Sequence, residues 1–212
     1  MSNAWKFLAA GLLVLGAVVA LAAPVPFDYY VLSLSWAPAF CAQPGTAGSN
    51  PAECALGKNA GFVVHGLWPE ASQGKSPESC GPAKPVAKAV VNFILPYMPS
   101  PSLIQHEWAI HGTCSGLKPA DYFANVLQAR SAVQFPVQFA ALEETAMESP
   151  GLVESQFAES NPAFPGGAFR VACRNGALTE MRVCFDRELK PQVCTPSVGE
   201  CTASSIAILP PR

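Results

Sequence analysis

Eight cysteines constrain the fold of this 212-residue chain more than any other feature. An even number of cysteines is typical of a disulfide framework in an exported protein. No two of them are spaced as Cys-x-x-Cys, the spacing common in structural zinc sites. We therefore expect four disulfides, with a metal cluster as the weaker alternative. The cysteines are Cys41, Cys54, Cys80, Cys114, Cys173, Cys184, Cys194 and Cys201.

The first 22 residues are typical of a signal peptide, which agrees with an oxidising destination. Lys6 supplies one positive charge, residues 7–23 form an uncharged run of 17 residues, and Ala20-Leu21-Ala22 is a small-x-small cleavage pattern. An uncleaved membrane anchor is the alternative, but 17 helical residues span only about 25 Å of a ~30 Å hydrocarbon core. We expect residues 1–22 to be removed, and residues 23–212 to form one secreted or periplasmic domain without stable membrane association.

The composition and charge of the chain limit its function. Half of the residues are hydrophobic and 13% are charged, so a packed core is expected rather than disorder. The net charge is −2, and the chain has no basic run. A protein that grips long stretches of nucleic acid by counterion release is therefore excluded, whereas an enzyme that holds one or two phosphates is not.

Hydrophobic periodicity predicts an α+β fold, with strands at both ends of the chain and helices in the middle. Asn175-Gly176 predicts a hairpin between the last two strands. The predicted strands are Phe27–Trp36, Gly61–Leu67, Phe169–Cys173 and Leu178–Phe185. The predicted helices are Pro85–Leu95, Leu103–His111, Ala120–Arg130 and Val137–Glu148. The second of them is opened by Ser100-Pro101-Ser102 and stopped by Gly112.

All three histidines fall in two short motifs. His65 lies in FVVHGLWP, at the end of a predicted strand, and His106 and His111 lie in HEWAIHGTC, on a predicted helix. The HExxH motif of zinc proteases places two histidines four residues apart on one helical face. Here the separation is five residues, which rotates the second ring by about 140° around the helix and is poorly suited to chelation. A metal-dependent hydrolase therefore remains only an alternative.

The same residues suit metal-free acid–base chemistry on RNA. RNA carries its own nucleophile, the 2′-hydroxyl beside the scissile phosphate. Cleavage needs a base for that hydroxyl, an acid for the leaving 5′-oxygen, and positive charge for the phosphorane-like transition state. Histidine titrates near neutral pH and can serve in each role, and a neighbouring carboxylate such as Glu107 can orient it and raise its pKa. No cofactor or metal is required.

Both motifs resemble the ribonuclease T2 family, the acid ribonucleases of fungi, plants, animals and bacteria. The family block FxxHGLWP is matched by residues 62–69, and HEWxKHGTC is matched by residues 106–114 at eight of nine places. The resemblance extends to the first strand, which ends in Leu34-Ser35-Trp36, and to the late strand Met181–Asp186. It implies an α+β fold with a central antiparallel sheet packed against several helices, and a monomer whose partner is single-stranded RNA.

The resemblance also implies a role for each motif residue. His111 would be the general base and His65 the general acid. His106 would hold a phosphate oxygen, and Glu107 would stabilise the transition state by sharing a proton. Trp68 would stack on a base, a contact that tolerates many sequences and fits broad base specificity. The product would be a 2′,3′-cyclic phosphate that is later hydrolysed to a 3′-phosphate.

Ile110 departs from the family pattern, because the family has a lysine at this place. Loss of one such charge donor can cost roughly 10²–10³ in rate. Either His106 compensates together with an arginine or lysine from elsewhere in the chain, or the enzyme is slow. Lys58 and Lys118 are candidates by their closeness to the motifs. A catalytically impaired member that acts as a binding protein is a further alternative.

Finally, the resemblance implies the pairing of the cysteines. One bridge would tie the second motif to the loop after the first, two would nest in the C-terminal strands, and one would close the Pro/Gly-rich loop. The implied pairs are Cys80–Cys114, Cys173–Cys201, Cys184–Cys194 and Cys41–Cys54.

Overall fold

A computed structural model describes residues 26–46, 51–199 and 201–211 of the chain. The predicted signal peptide lies outside them. The strands are β1 Tyr29–Trp36, β2 Phe62–Glu70, β3 Ala146–Glu148, β4 Phe169–Arg174, β5 Ala177–Phe185 and β6 Ile206–Ile208. The helices are α1 Ala37–Cys41, α2 Pro51–Cys54, α3 Lys88–Ile94, α4 Pro101–Ile110, α5 Pro119–Ala132, α6 Val137–Ala140 and α7 Pro150–Ser160. A 3₁₀ turn, Gly112–Cys114, follows α4.

The described strands form one mainly antiparallel six-stranded sheet, which confirms the predicted α+β fold. Strand β5 is its centre, since it pairs antiparallel with β1 along one edge and with β4 along the other. Beyond the end of β1, β5 also meets β6 in parallel, and β6 pairs with β3. The predicted hairpin at Asn175-Gly176 joins β4 to β5, with both residues at positive φ.

A β-bulge in the pairing of β1 with β2 controls the direction of the first motif. Ser33 pairs with Gly66, whereas Leu34 pairs with Val64, so His65 has no partner on β1. Strict alternation would place residues 65 and 68, an odd number of positions apart, on opposite faces of the sheet. The extra residue changes the phase of the strand. His65, Gly66 and Trp68 consequently share one face.

The two faces of the sheet are covered differently. One face packs the main core against the helices, and this core includes Leu34, Val64 and Met181 of the sheet and Tyr122 and Phe157 of the helices. Among the described residues, the opposite face carries a small buried cluster, against which the partly buried Trp68 packs. This thinly covered face leaves room for a cleft. The small cluster consists of Tyr29, Val31, Cys184, Cys194 and Val198.

Helix α4 carries the second motif and has the predicted start and stop. Ser100 caps it by accepting a hydrogen bond from the Leu103 N–H at 3.3 Å, and Pro101 occupies its first turn. The helix ends at Ile110, and the next residue, His111, caps it by donating its N–H to the Glu107 carbonyl at 3.0 Å. Glu107 and His111 therefore lie one turn apart on the same side of the helix.

All eight cysteines are paired as the family resemblance implies. The Cys80–Cys114 bridge ties the 3₁₀ turn after α4 to the loop that follows β2, with 4.9 Å between Cα atoms. The Cys41–Cys54 bridge joins α1 to α2 across the Pro/Gly-rich loop. The remaining two bridges tie Cys173 in β4 and Cys184 in β5 to the segment that follows β5.

Two helix predictions need correction. The helix predicted over Pro85–Leu95 begins only at Lys88, because the segment before it is held extended by Gln105, whose side-chain oxygen accepts from the Val86 N–H at 2.8 Å. The helix predicted over Val137–Glu148 is wrong beyond its first turn. Its end forms β3, which pairs with β6 about 60 residues later in the chain.

Helix α7 was missed, although Ser149-Pro150 is a clear start signal, with the Ser149 side chain accepting from the Leu152 N–H at 3.2 Å. Among the described residues, no helix has the length and apolar character needed to cross a membrane.

Candidate active site

The two motifs meet where β2 passes α4, and a buried carboxylate joins them. The Glu107 side chain is 1% exposed. Its Oε1 lies 3.5 Å from His65 Nε2, and its Oε2 lies 4.0 Å from His111 Nε2. The Trp68 indole N–H donates to Oε2 at 2.8 Å. One carboxylate is thus bracketed by two imidazoles and fixed by an indole.

Gly66 makes this close approach possible. A Cβ atom on residue 66 would overlap the Glu107 carboxylate and lie 2.5 Å from Trp68 Nε1. The glycine of the HGLWP block is therefore required by space, because α4 inserts Glu107 directly over the β2 backbone.

The Trp68 ring packs against both histidines. Its centroid lies 5.2 Å from the His65 ring, in an edge-on arrangement of 81°, and 5.3 Å from the His111 ring, tilted by 30°. These contacts restrict the rotation of both imidazoles. The indole also meets the Arg182 guanidinium, at 5.3 Å from the ring centroid.

Strand β5 contributes two residues that the sequence did not single out. The Glu180 carboxylate lies 2.7 Å from His65 Nδ1. Arg182, two residues further on the same face, donates to the other Glu180 oxygen from Nε at 3.0 Å and approaches it with Nη2 at 2.9 Å. The period of two along β5 places Glu180 and Arg182 side by side. However, only the register of the sheet brings them to His65, which is 115 positions away in sequence from Glu180.

A cleft of about 1010 Å³ opens beside His65 and His106. Glu107, His111 and Trp68 do not line it, and they join the site through their contacts with His65 and with one another. The cleft walls are Ser35, Phe40, Gln43, Glu53, Val63, Val64, Ser100, Ser102, Leu103, Ala172, Cys173, Arg174, Thr179, Glu180, Arg182 and Ser197.

The cationic side chains that line this cleft are arginines, not the two lysines that the sequence suggested. Lys58 and Lys118 do not line it, whereas Arg174 and Arg182 do. Closeness along the chain was misleading for the lysines, because the sheet brings β4 and β5 to the site from the C-terminal third.

Burial and charge shift the pKa values of Glu107 and His111. Burial is the main cause that raises the pKa of Glu107 above 4.5, although His65 and the Trp68 hydrogen bond partly oppose it. Burial, together with the charges of His65 and His106, lowers the pKa of His111 from 6.5 to about 4. At neutral pH His111 is therefore an uncharged imidazole that can accept a proton.

His65 is shifted in the opposite direction. Burial alone would lower its pKa, but the Glu180 hydrogen bond and the charges of Glu107 and Glu180 raise the pKa above 6.5. Burial would likewise raise the pKa of Glu180, but its hydrogen bond to His65 and the charges of His65 and Arg182 lower the pKa to about 2. His65 is thus held protonated at a pH at which His111 is neutral.

Glu53 is a further carboxyl group in the cleft wall. It is buried on α2, and its Oε1 has no hydrogen-bond partner among the described residues. Burial raises its pKa above 4.5, while the charge of His65 opposes the shift. Across the described part of the chain, no three His, Cys, Asp or Glu side chains converge closely enough to hold a metal ion.

A neutral imidazole and a protonated imidazole on either side of one carboxyl group form a matched base and acid. Such a pair can move a proton from one oxygen of a substrate and deliver another proton to a second oxygen. Nearby guanidinium charge suits an anionic substrate.

Comparison with known proteins agrees with this geometry. The model of the ribonuclease T2 family matches residues 27–194. A probable ribonuclease of Haemophilus influenzae is 30% identical over 183 residues, which cover 81% of this chain and 62% of that protein. A ribonuclease of Aeromonas hydrophila is 30% identical over 167 residues, which cover 76% of this chain and 73% of that protein. The chain therefore spans less than two thirds of the Haemophilus protein.

Solved structures share the fold. An RNase-related protein from Calystegia sepium superposes with a TM-score of 0.68 at 23% identity, covering 88% of this chain and 98% of its own. Trichomaglin, described as an S-like ribonuclease, superposes with a TM-score of 0.71 at 22% identity, covering 88% of this chain and all of its own. By the family match and the 30% identical relatives, this chain belongs to the ribonuclease T2 family of RNA-cleaving enzymes.

Proposed function

We propose that this protein is a secreted endoribonuclease that cleaves single-stranded RNA by metal-free transphosphorylation with broad base specificity. The observation that carries the proposal is the buried Glu107 carboxyl group between two histidines, His65 and His111, whose pKa values are shifted in opposite directions.

In the first step, neutral His111 takes the proton of the 2′-hydroxyl, and the 2′-oxygen attacks the adjacent phosphorus. The bond from phosphorus to the 5′-oxygen breaks, and His65 gives its Nε2 proton to that oxygen. The products are a 2′,3′-cyclic phosphate and a free 5′-hydroxyl. The raised pKa of His65 and the lowered pKa of His111 suit these roles at the same pH.

Several side chains stabilise the negative charge that develops on the phosphorane. Glu107, whose pKa is raised by burial, shares a proton with a phosphoryl oxygen. His106 lines the cleft beside His65 and holds a second oxygen. Arg182 also lines the cleft and supplies the positive charge that Ile110 does not.

The cyclic phosphate is opened by water with the roles of the histidines exchanged. His65, now neutral, takes a proton from water, and the resulting hydroxide attacks phosphorus. His111 returns a proton to the 2′-oxygen, which leaves a 3′-phosphate and restores both histidines. The reaction thus closes without a cofactor.

In this proposal, the contacts with the RNA bases do not select one base over another. Trp68 lies beside His65 and His111 rather than in the cleft lining, and in this proposal a base stacks on its partly buried ring, a contact that tolerates any base. Nucleotides bind to proteins of this fold, since RNase NT is known in complex with 5′-AMP and mutants of RNase MC1 with 5′-UMP and 5′-GMP.

We also propose that the protein is exported. Residues 1–22 act as a cleaved signal peptide, and residues 23–212 fold as one monomeric domain that is secreted or periplasmic. Four disulfides, which are stable in an oxidising compartment, support this destination.

The test uses purified, oxidised protein that starts at residue 23, with single-stranded RNA and EDTA between pH 5 and pH 8. Cleavage that survives chelation and passes through a 2′,3′-cyclic phosphate is expected. Loss of cleavage with EDTA would favour a metal-dependent hydrolase. RNA binding without cleavage would favour a binding protein.

A second substrate tests the nucleophile. An oligonucleotide with 2′-deoxyribose at one position should resist cleavage at that position alone, because it lacks the attacking 2′-oxygen. Cleavage at the deoxy position would contradict the proposed chemistry.

A further inference from the structure

The Nδ1 atom of His65 is engaged by a side chain for which the acid–base scheme has no role. Glu180 Oε1 lies 2.7 Å away, and the Glu180 side chain is 13% exposed. The opposite nitrogen, Nε2, faces Glu107 at 3.5 Å. An imidazole held at Nδ1 by a carboxylate keeps its proton on that nitrogen, which leaves Nε2 as the atom that gains and loses a proton.

Arg182 holds the far side of the same carboxylate. Its Nε and Nη2 lie 3.0 and 2.9 Å from Glu180 Oε2, and its guanidinium also lies over the Trp68 ring. A carboxylate that is held from both sides cannot rotate away from His65. The Arg182 guanidinium, the Glu180 carboxylate and the His65 imidazole thus contact one another in a row. This row lies on one face of the sheet, from β5 to the bulge of β2.

We propose that Glu180 is a positioning residue that orients His65 for proton donation through Nε2, and that Arg182 fixes Glu180 in that position. This inference rests on the proposed function, in which His65 protonates the leaving oxygen. The proton that moves is the one on Nε2, and the Nδ1 proton stays on His65 throughout. After donation, neutral His65 therefore presents the lone pair of Nε2 to the water of the second step.

The charges around His65 define what each substitution should do. Glu107 acts on His65 from α4, Glu180 and Arg182 act from β5, and Glu53 acts from α2. His106, also on α4, acts on Glu107 and His111. The His111 imidazole also senses the charge of His65. Glu180 is the only one of these groups hydrogen-bonded to His65 in the described structure. Its neutralisation should lower the pKa of His65, while loss of Arg182 should not.

The first experiment reads His65 directly and needs no activity. The protein has three histidines, so NMR titration of untagged samples, assigned with H65A, H106A and H111A, resolves each imidazole. We expect His65 to be an Nδ1–H tautomer when neutral. In E180Q, the midpoint of the His65 titration should fall by roughly one pH unit or more. An unchanged midpoint and tautomer in a folded E180Q would overturn the proposal.

The second experiment follows kcat/KM against pH on RNA. In E180Q, kcat/KM at neutral pH should fall on the order of 10- to 100-fold, and the descending limb should move to lower pH. E180D should restore part of the loss, since it keeps the charge. The matched control is E154Q, which removes another Glu–Arg pair, Glu154 with Arg170 at 3.4 Å, away from the cleft lining. It should keep the wild-type profile.

The direction in which the pH profile shifts distinguishes the role of Arg182 from that of Glu180. R182M should lower kcat, because Glu180 loses its support and the cleft loses a positive charge. The descending limb should nevertheless stay in place or move to higher pH, because a positive charge near His65 is gone. A descending limb that moves to lower pH in R182M, as in E180Q, would contradict the assigned role of the arginine.

A substrate with an activated leaving group separates failure of this inference from failure of the proposed function. A uridine 3′-(p-nitrophenyl phosphate) needs little protonation of its leaving group, so the defect of E180Q should shrink at least several-fold on this substrate. An equal defect on both substrates would refute positioning of a general acid, even while wild-type RNA cleavage upheld the proposed function. Failure of the wild type to cleave RNA would refute the proposed function instead.

Discussion

Glu107 organises the site at the scale of single residues. It is buried, yet it contacts His65, His111 and Trp68 at once. The two histidines differ in their surroundings. His65 has Glu180 on its second nitrogen, whereas His111 is shifted by burial and by the charges of the other histidines. In the proposed mechanism, the same side-chain chemistry therefore yields an acid at one position and a base at the other.

This difference predicts a bell-shaped dependence of kcat/KM on pH. Activity should rise as pH increases through about 4, where His111 loses its proton and becomes a base. It should fall as pH increases through the pKa of His65, which lies above 6.5, because the acid is then deprotonated. Initial rates on a dinucleotide from pH 3 to pH 9 measure both limbs. An optimum below pH 4 would contradict the assignment.

Substitution of either histidine should abolish most of this activity. We expect His65→Ala and His111→Ala to lower kcat/KM by on the order of 10²- to 10⁴-fold while circular dichroism stays that of the wild type. Activity within tenfold of wild type in both variants would mean that the acid and base are other residues.

Glu53 predicts an effect on stability. Its pKa is raised by burial, so the folded state favours its protonated form, and ionisation above pH 4.5 opposes folding. Glu53→Gln should therefore raise the melting temperature at pH 7, and the gain should disappear as pH falls below 4.5. Thermal denaturation at pH 4 and pH 7 measures the difference. A larger gain at pH 4 than at pH 7 would reverse the inferred sign.

At the scale of elements, the bulge in β2 and the insertion of α4 act together. The bulge turns His65 and Trp68 to one face, and Gly66 lets Glu107 reach the backbone between them. Helix α4 supplies Glu107 and its last residue leads into His111, so a short shift of the helix would separate base and acid.

Gly66→Ala should therefore damage the site. The added methyl group overlaps Glu107 and Trp68, so the carboxylate must move. A displacement of this kind should lower kcat/KM on the order of 10²-fold, with a loss of stability. Gly151→Ala is the matched control, since a Cβ there meets nothing within 4 Å on helix α7. It should keep full activity and gain up to about 1 kcal/mol of stability. Equal behaviour of the two variants would refute the packing argument.

At the scale of the whole molecule, disulfides stabilise the face of the sheet that carries the cleft and the loops around it. The Cys80–Cys114 bridge closes 34 residues and holds the turn that follows His111. The face that carries the cleft has only a small apolar cluster beneath it. Cross-links therefore replace part of the packing that a second layer of helices would provide.

Removal of that bridge should cost both stability and activity. Cys80→Ala/Cys114→Ala is expected to lose about 3–4 kcal/mol of unfolding free energy, from loop-closure entropy in the unfolded state, and to lower kcat because His111 is less well held. Cys41→Ala/Cys54→Ala, which opens a loop of only 13 residues, is the control and should lose less. Urea denaturation and initial rates measure the two effects. A larger loss of stability in the control would contradict this account.

Much of the molecule follows from the sequence by itself. The Ser100-Pro101 start, the HEWAIH helix and the Asn-Gly hairpin depend on contacts between neighbours in the chain, so their patterns predict them. The two histidine motifs likewise identified His65, Trp68, Glu107 and His111, which the structure brings into contact. Helix Val137–Glu148 was mispredicted because β3 is stabilised by β6, a partner that no local pattern reveals.

Only the tertiary structure decided how these residues act on one another. Local alternation would set His65 and Trp68 on opposite faces, and the bulge against β1 unites them. Glu180 and His65 are 115 positions apart in the chain. They meet because β1 pairs with both β2 and β5 and so brings these two strands into one sheet. Residue types determine which groups can carry a proton. Strand register and burial determine their distances and the local dielectric, and these set which histidine keeps its proton to the higher pH.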